Sequence, residues 1–341
     1  MKILAGDIGG TNTRIVYAEV LGSVKDIIAE KIYSSAAYLD FTQVLTLFLH
    51  EHNITESIEA ACFAVAGPVK SGSASVTNLP WLISEQDLSN NFKITKVKLI
   101  NDFTAVVYGI AELKVDDVIV LQVGEEINNS VKPNAVVIGA GTGLGVAQRI
   151  WLNDHYYALS TEAGHVGFAP ENVQQTQLLL WLQKTQSHVS HVSHVSHVSL
   201  ETLLSGRGLV TIYSYFKEQT QLKESKAVLD AMQMNDPSQV ITDFALSNND
   251  ELCQKTLECF IDIYGAAAGN AALNCYPVDE VYIAGGIAPR IKDMLMNHRF
   301  VDAFLKKGLL SENMEKIAVK LILQDKVGLY GALSNAIIIN N

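Results

Sequence analysis

The sequence predicts an α/β protein of two domains, on three observations. The chain has 341 residues, more than one compact core usually holds. Its first roughly 110 residues run through strand-period and helix-period apolar segments in the order β-β-β-α-β-α-β-α. An apolar strand that enters a Gly/Thr turn and leaves as another apolar strand then occurs twice, the copies about 130 residues apart.

The first copy is Leu4-Ala-Gly-Asp-Ile-Gly-Gly-Thr-Asn-Thr-Arg14. Residues 3–5 lead in and 14–20 lead out, two antiparallel strands joined at Gly9 and Gly10. Glycine there allows positive φ and removes the Cβ atoms that would hold an anion away from the backbone N–H groups. Thr11, Asn12 and Thr13 add donors. Asp7 places one carboxylate beside them, where a hydrated Mg²⁺ would sit if a nucleotide bound. Taken alone, the stretch also reads as an ordinary Gly-rich hairpin.

A third strand is expected over 27–34. A helix is expected over 39–51, with Phe41, Val44, Leu45, Phe48 and Leu49 on one side. A buried strand over 59–65 ends at Ala66-Gly67-Pro68, and 75–81 carries Asn78 and Trp81. Ser84 with Asp87 opens a short helix in capping-box fashion. A strand over 96–100 ends at Asn101-Asp102, and a helix over 104–113 follows. Asp102 then lies at a helix start, where the dipole favours a carboxylate. Alone, it is either a plain N-cap or a base.

The second unit opens near Asp117. Ala135-Val-Val-Ile-Gly-Ala-Gly-Thr-Gly-Leu-Gly145 repeats the first design. It lacks a G-x-G-x-x-G register, and no G-K-[ST] occurs anywhere, so neither a Rossmann fingerprint nor a P-loop is present. A pair of such turns could grip a polyphosphate from both sides. Glu162-x-x-His165 has the spacing of a metal pair on a helix. Gly164 and Gly167 oppose a helix, so two polar groups on a Gly-rich loop, hydrogen bonding to a polar ligand, fit better.

A short helix over 178–184 precedes a literal repeat, His-Val-Ser four times over 188–199. His at i and i+3 can bind metal on a helix; a solvated loop is the other reading. Three extra triplets are about two and a half helical turns. In a continuous helix they would turn Glu201 to the opposite face, so a working Glu201 requires the repeat to bulge out. Helices are expected over 209–216 and 225–253, the latter broken at Asn235-Asp-Pro237. A long apolar helix over 256–274 carries Gly265 and Gly269 at i, i+4. A buried strand over 280–284 ends in Gly285-Gly286, bare backbone against which a flat ring can lie. A strand over 317–323 and a helix over 331–339 close the chain.

Hydrophobic residues make up 48% and charged residues 18% of the chain, enough for a large buried core. The formal net charge of −11 argues against a general nucleic-acid or anionic-membrane binder. It leaves room for an anion held by local N–H groups. No signal peptide is expected, and no run reaches the ~18 apolar residues of a membrane span. Cys62, Cys253, Cys259 and Cys275 show no C-x-x-C spacing, which points to reduced thiols of a cytoplasmic protein without a zinc site.

Assembled, these residues resemble the zinc-free group of bacterial glucokinases, within the superfamily of actin-like proteins, sugar kinases and heat-shock-chaperone ATPases. Gly6-Asp-Ile-Gly-Gly-Thr-Asn-Thr-Arg14 resembles the family's first phosphate motif, and Gly139-Ala-Gly-Thr-Gly-Leu-Gly145 the second. Leu99-Ile-Asn-Asp-Phe-Thr-Ala105 resembles the segment with its catalytic aspartate. Glu162-Ala-Gly-His165 and the Ser199-Leu-Glu201 region resemble its sugar loops, and Ile283-Ala-Gly-Gly-Ile287 its adenosine motif. The fourfold His-Val-Ser departs from the pattern, where one copy is expected.

The resemblance implies two ribonuclease-H-like domains of the actin-like ATPase architecture flanking a cleft. Residues 1–112 plus 318–341 would form the smaller and 113–317 the larger. It implies transfer from ATP, with Mg²⁺, to the 6-hydroxyl of D-glucose. Asp102 would accept the hydroxyl proton. Asn78, Asn101, Asp102, Glu162, His165 and Glu201 would contact the sugar. Gly6, Asp7, Ile8, Gly9, Gly10, Thr11, Gly141, Thr142 and Gly143 would hold the phosphates, with Asp7 on Mg²⁺ through water, and Gly285 and Gly286 would face adenosine. A cytoplasmic homodimer is implied. The rivals are a mannose or fructose kinase and a non-catalytic actin-like ATP switch. The switch has no use for Asn101-Asp102 together with Glu162, His165 and Glu201.

Overall fold

The computed structural model describes residues 1–21, 24–126, 132–189 and 197–340. The chain divides into two compact units. One comprises 1–117, 158–160 and 324–341; the other comprises 118–157 and 161–323.

The first unit is built on β1 (Lys2–Ile8), β2 (Asn12–Leu21), β3 (Val24–Ser34) and β4 (Ala60–Val65). A small separate sheet of β5 (Val69–Lys70), β6 (Ser73–Ser75) and β7 (Leu82–Ser84) intervenes before β8 (Lys96–Asn101). The main sheet has the order β3-β2-β1-β4-β8. The first three strands pair antiparallel, and β1, β4 and β8 run parallel. Every residue of β4 is buried, as a central strand covered on both faces requires. Period 2 sorts β1 between two cores. Leu4 and Ile8 join the layer of α1 (Phe41–Glu51) and α2 (Glu85–Phe92); Ile3 and Ala5 face α3 (Asp102–Gly109) and the chain's last helix. The Ser84 cap forms as expected, its side chain accepting from Asp87 N–H at 3.3 Å.

A second sheet repeats the plan with β9 (Val118–Gln122), β10 (Ala135–Ala140), β11 (Leu144–Leu152), β12 (His155–Thr161), β13 (Glu280–Ala284) and β14 (Ala318–Ile322). Their order is β12-β11-β10-β13-β14-β9, with β10, β13 and β14 parallel. The helices are α4 (Val173–Val189), α5 (Gly206–Gln219), α6 (Lys226–Met234), α7 (Pro237–Leu246), α8 (Glu251–Asn274), α9 (Lys292–Leu295), α10 (Arg299–Leu305) and α11 (Ser311–Met314). One core joins the sheet to α5, α7, α8 and α10. The α/β class expected from the sequence is the observed one.

Several boundaries differ from expectation; α3 starts two residues before 104 and α12 four before 331. Helix α4 is longer at both ends than 178–184, because Asn172 caps it, accepting from Gln175 N–H at 2.9 Å. The Gln and Thr residues that follow are polar but helix-competent. The break at Pro237 is present, with Asp236 as cap. A second break precedes α8, whose cap Asp250 accepts from Cys253 N–H at 2.9 Å. The strand at 318–322 was expected in the smaller domain. Its pairing with β13 and the burial of Val319 and Leu321 in the second core place it in the second sheet. The first unit therefore resumes at Gln324, with α12 (Val327–Asn340).

Cys62, Cys253 and Cys259 are buried and Cys275 half-buried, all as free thiols. Among the described residues, no helix is long and apolar enough to cross a membrane.

Candidate active site

In the first unit the candidate residues gather at the carboxyl ends of the parallel strands, the edge where open α/β sheets bind ligands. Ile8, Val65 and Asn101 stand in one row across β1, β4 and β8. Asp7 lies one residue before that row and Asp102 one after. Two strand spacings across and two residues along put their backbones about 12 Å apart.

The turn after β1 is pinned from beneath. Ser35 Oγ donates to Gly9 O at 2.8 Å and shares a hydrogen bond with Thr13 Oγ1 at 2.9 Å. Gly9 N–H donates to Asn12 O at 2.9 Å. A Cβ on Gly10 would come within 2.8 Å of Thr77 O, so the turn and the Asn78 loop meet backbone to backbone. Asn78 is exposed at φ +64°. Thr11 and Asn12 are exposed, leaving their donors to solvent or a ligand.

Asn101 is occupied structurally. Its Oδ1 caps α3, accepting from Phe103 N–H at 2.9 Å and Thr104 N–H at 3.4 Å, and its Nδ2 donates to Gly67 O at 3.2 Å. The amide keeps one N–H for a ligand. Asp102 is therefore not the cap but the first helical residue. Burial pushes its carboxyl up to about 6, outweighing the Phe103 N–H that stabilises the anion; the nearby Asp7 carboxylate pushes the same way. The helix start favours the anion as expected, but desolvation is larger. Burial also raises Asp7, against the pull of Arg14, its partner across β1 and β2.

In the second unit two glycine turns are neighbours, since Gly139 pairs with Ala284 on parallel β10 and β13. Gly285 has φ +82°, and a Cβ there would be 2.3 Å from Ala140 O. Gly286 has open space around it, and a Cβ on Gly141 would meet only Gly286 N, at 4.0 Å. This bare slot admits a flat ring, and exposed Thr142 stands at the tip of the first turn. Tyr264 braces both turns from the core. Its hydroxyl accepts from Ala140 N–H at 3.2 Å and lies 3.3 Å from Ile138 O and Ala284 O. Tyr264→Phe orphans a buried N–H and should cost about 1–3 kcal/mol, read as a lower urea midpoint.

Glu162 is exposed and precedes a 3₁₀ turn over Ala163–His165. Gly164 seats that turn on β11: a Cβ there would fall 2.0 Å from Leu144 O. Glu201 was expected on the sugar. In this structure its Oε2 accepts from Leu144 N–H at 3.0 Å, beside the glycine turn, with Arg207 4.0 Å from Oε1. Of the His-Val-Ser repeat, His188 and Val189 end α4, residues 190–196 lie outside the described residues, and the last triplet, His197–Ser199, leads into pairing of 198–200 with 166–168.

The predicted residues thus form two groups: Asp7, Gly9, Gly10, Asn78, Asn101 and Asp102 in one unit; Gly141–Gly143, Glu162, His165, Glu201, Gly285 and Gly286 in the other. Sequence reasoning missed Ser35, for which the chain holds no local signal, and Tyr264, visible as a lone hydroxyl on the apolar α8. Among the described residues, no cluster of three or more His, Cys, Asp or Glu could hold a metal. One partly exposed carboxylate beside N–H donors suits instead a hydrated Mg²⁺ that also binds phosphate oxygens.

The family model for glucokinase matches residues 4–337. A glucokinase of Trichormus variabilis is 37% identical over 342 residues, 97% of each chain. The crystal structure of a glucokinase from an Antarctic psychrotroph, 30% identical, aligns with a TM-score of 0.81 over 99% of both chains. That of Balamuthia mandrillaris glucokinase in complex with glucose, 21% identical, shares the fold at a TM-score of 0.78, over 98% of this chain and 93% of that one. Matched by family model and by relatives along almost its whole length, the chain belongs to the glucokinase family.

Proposed function

We infer that the protein is an ATP-dependent glucokinase, transferring the γ-phosphoryl group of ATP to the 6-hydroxyl of D-glucose. The observation that carries the mechanism is Asp102, a carboxyl raised to about 6 by burial at the end of β8. Such a group is ionised at neutral pH and a stronger base than an ordinary carboxylate, which suits general-base work. Asp102 takes the proton of the sugar O6 as the new O6–P bond forms, the bond to the β-phosphate oxygen breaks, and ADP leaves.

Phosphoryl transfer needs positioning and charge neutralisation more than covalent chemistry. The Gly6–Thr11 and Gly141–Gly143 stretches hold phosphate oxygens, Gly9 N–H and Gly141 N–H being committed to the turns themselves through Asn12 O and Gly143 O. Gly285 and Gly286 face adenosine. Mg²⁺, held through water at Asp7, supplies further charge neutralisation when bound. Glu162, His165, Glu201, Asn78 and the free N–H of Asn101 bind sugar hydroxyls. An epimer leaves one of those groups unpaired and is penalised.

ADP release coupled to a dehydrogenase assay tests this. The rate with glucose should exceed the glucose-free rate by about 10³-fold or more, and mannose and galactose should each lose about 10²-fold in kcat/KM. Comparable rates with and without glucose would remove the kinase assignment; a better rate with mannose or fructose would change the sugar. A cytoplasmic homodimer is part of the proposal, and sedimentation equilibrium reports the assembly.

A further inference from the structure

Residues 197–201, His-Val-Ser-Leu-Glu, touch both the sugar loop and the glycine turn of the second unit. His197 Nε2 lies 2.8 Å from His165 O, and the ring nitrogen must be the donor because a carbonyl cannot donate. Its ring covers Gly167, where a Cβ would meet Cε1 at 3.8 Å. The backbones pair antiparallel at Gly167 and Ser199. Phe168 N–H donates to Val198 O at 2.8 Å, and Leu200 N–H to Val166 O at 2.9 Å. Val198 and Leu200 are buried and anchor the segment in the core.

Four residues after His197, Glu201 Oε2 accepts from Leu144 N–H at 3.0 Å. Its carboxylate fills the space a side chain on Gly143 would need, 2.5 Å from the Cβ position. Gly164, against Leu144 O, closes the circuit from loop to turn. Loop, segment and turn are thus mutually in contact, and none can shift far alone.

We propose that 197–201 is a strap, with His197 as its positioning residue, that couples the Glu162–His165 loop to the Gly141–Gly143 turn so that sugar and nucleotide favour each other's binding. The ligands of the loop and turn are those of the function inferred above; the strap itself is geometry. Of four identical triplets, the last supplies the strap histidine. His194→Ala is therefore a matched control, the same residue in the same tripeptide three positions earlier.

Affinity for a non-hydrolysable ATP analogue, measured by calorimetry with and without glucose, reads the coupling. In the unmodified protein glucose should tighten the analogue about tenfold, the scale of one well-placed hydrogen bond. His197→Ala should bring that factor within about twofold of one and raise the glucose KM about tenfold. His197→Gln, which keeps a side-chain N–H, should restore both, and His194→Ala should change neither. General loosening would instead lower stability in Ala and Gln variants alike, without rescue. Coupling retained in His197→Ala, or an equal loss in His194→Ala, overturns the strap.

Amide exchange in the ligand-free protein separates this from the function. Phe168 and Leu200 amides should exchange about tenfold faster in His197→Ala and at the original rate in His197→Gln. Unchanged exchange overturns the strap. Faster exchange in a protein with no glucose-dependent ADP release supports the strap and sinks the kinase assignment.

Discussion

Asp102→Asn should lower kcat by about 10²–10⁴-fold, the range a positioned general base contributes. Asparagine has the carboxylate's shape and keeps an oxygen for Phe103 N–H, the 2.9 Å bond at the start of α3. It cannot take a proton. Loss of rate with glucose and ATP affinities within a few-fold therefore isolates proton transfer from binding. In the unmodified enzyme, kcat/KM should fall as pH drops through about 6, where the buried carboxyl becomes protonated. The variant should lose that limb. A rate near normal, or an acid limb retained at the same pH, would assign the proton to another group.

The same substitution should stabilise the protein at alkaline pH. The carboxyl of Asp102 is raised to about 6 in the folded chain from an ordinary 3.8. The folded state then binds the proton more tightly than the unfolded state. Stability from this group is fully present below the unfolded value and is lost as pH rises through about 6. Above that, the buried anion costs on the order of 1–3 kcal/mol. Asp102→Asn removes the cost, so its denaturation midpoint should exceed that of the unmodified protein near about pH 8 and converge with it near about pH 4. A variant no more stable at the alkaline end would show that burial does not tune this carboxyl.

The parts legible in the sequence are those whose chemistry is local. Gly9, Gly10 and Gly285 declare close backbone approaches by lacking a side chain, and the approaches to Thr77 O and Ala140 O are there. Ser84 declares a helix start and Asn235-Asp-Pro237 a break, and both are there. What was not legible depends on tertiary contact. Asn101 reads as a ligand group, and nothing local shows that its oxygen also caps α3 and its amide holds Gly67, from 34 residues away. Glu201 reads as a sugar residue, and nothing local shows that its carboxylate also accepts from Leu144 N–H, 57 residues away. The helix start predicts a favoured Asp102 anion; burial reverses the sign, and burial belongs to the whole fold. Strands β5 to β7, of two or three residues each, are shorter than any periodicity can register.

Gly331→Ala should be the most disruptive single methyl in the first unit, because α3 and α12 cross there backbone to backbone. A Cβ on Gly331 would fall 1.7 Å from Ala105 O and 2.7 Å from Gly109 N; one on Gly109 would fall 2.0 Å from Val327 O. Ordinary contact needs about 3.5 Å, so the helices must part by more than 1 Å. In a close-packed interior that strain costs about 2–4 kcal/mol, read as a lower urea midpoint. The shift would also reach the chemistry. Asp102 is the first residue of α3, and Gly328, in the first turn of α12, lies beside Asp7, where a Cβ would be 3.5 Å from Oδ2. Parting the helices displaces Asp102 and loosens the packing of α12 against Asp7, and a displacement of about 1 Å can cost 10²-fold in kcat. Wetting of Asp102 would lower its carboxyl toward the ordinary value, so the acid limb of kcat/KM should move below pH 6 as kcat falls. A variant with a lowered midpoint but an unmoved acid limb would separate the crossing from the tuning of Asp102. A variant with neither change would mean that the two helices do not pack this closely in solution.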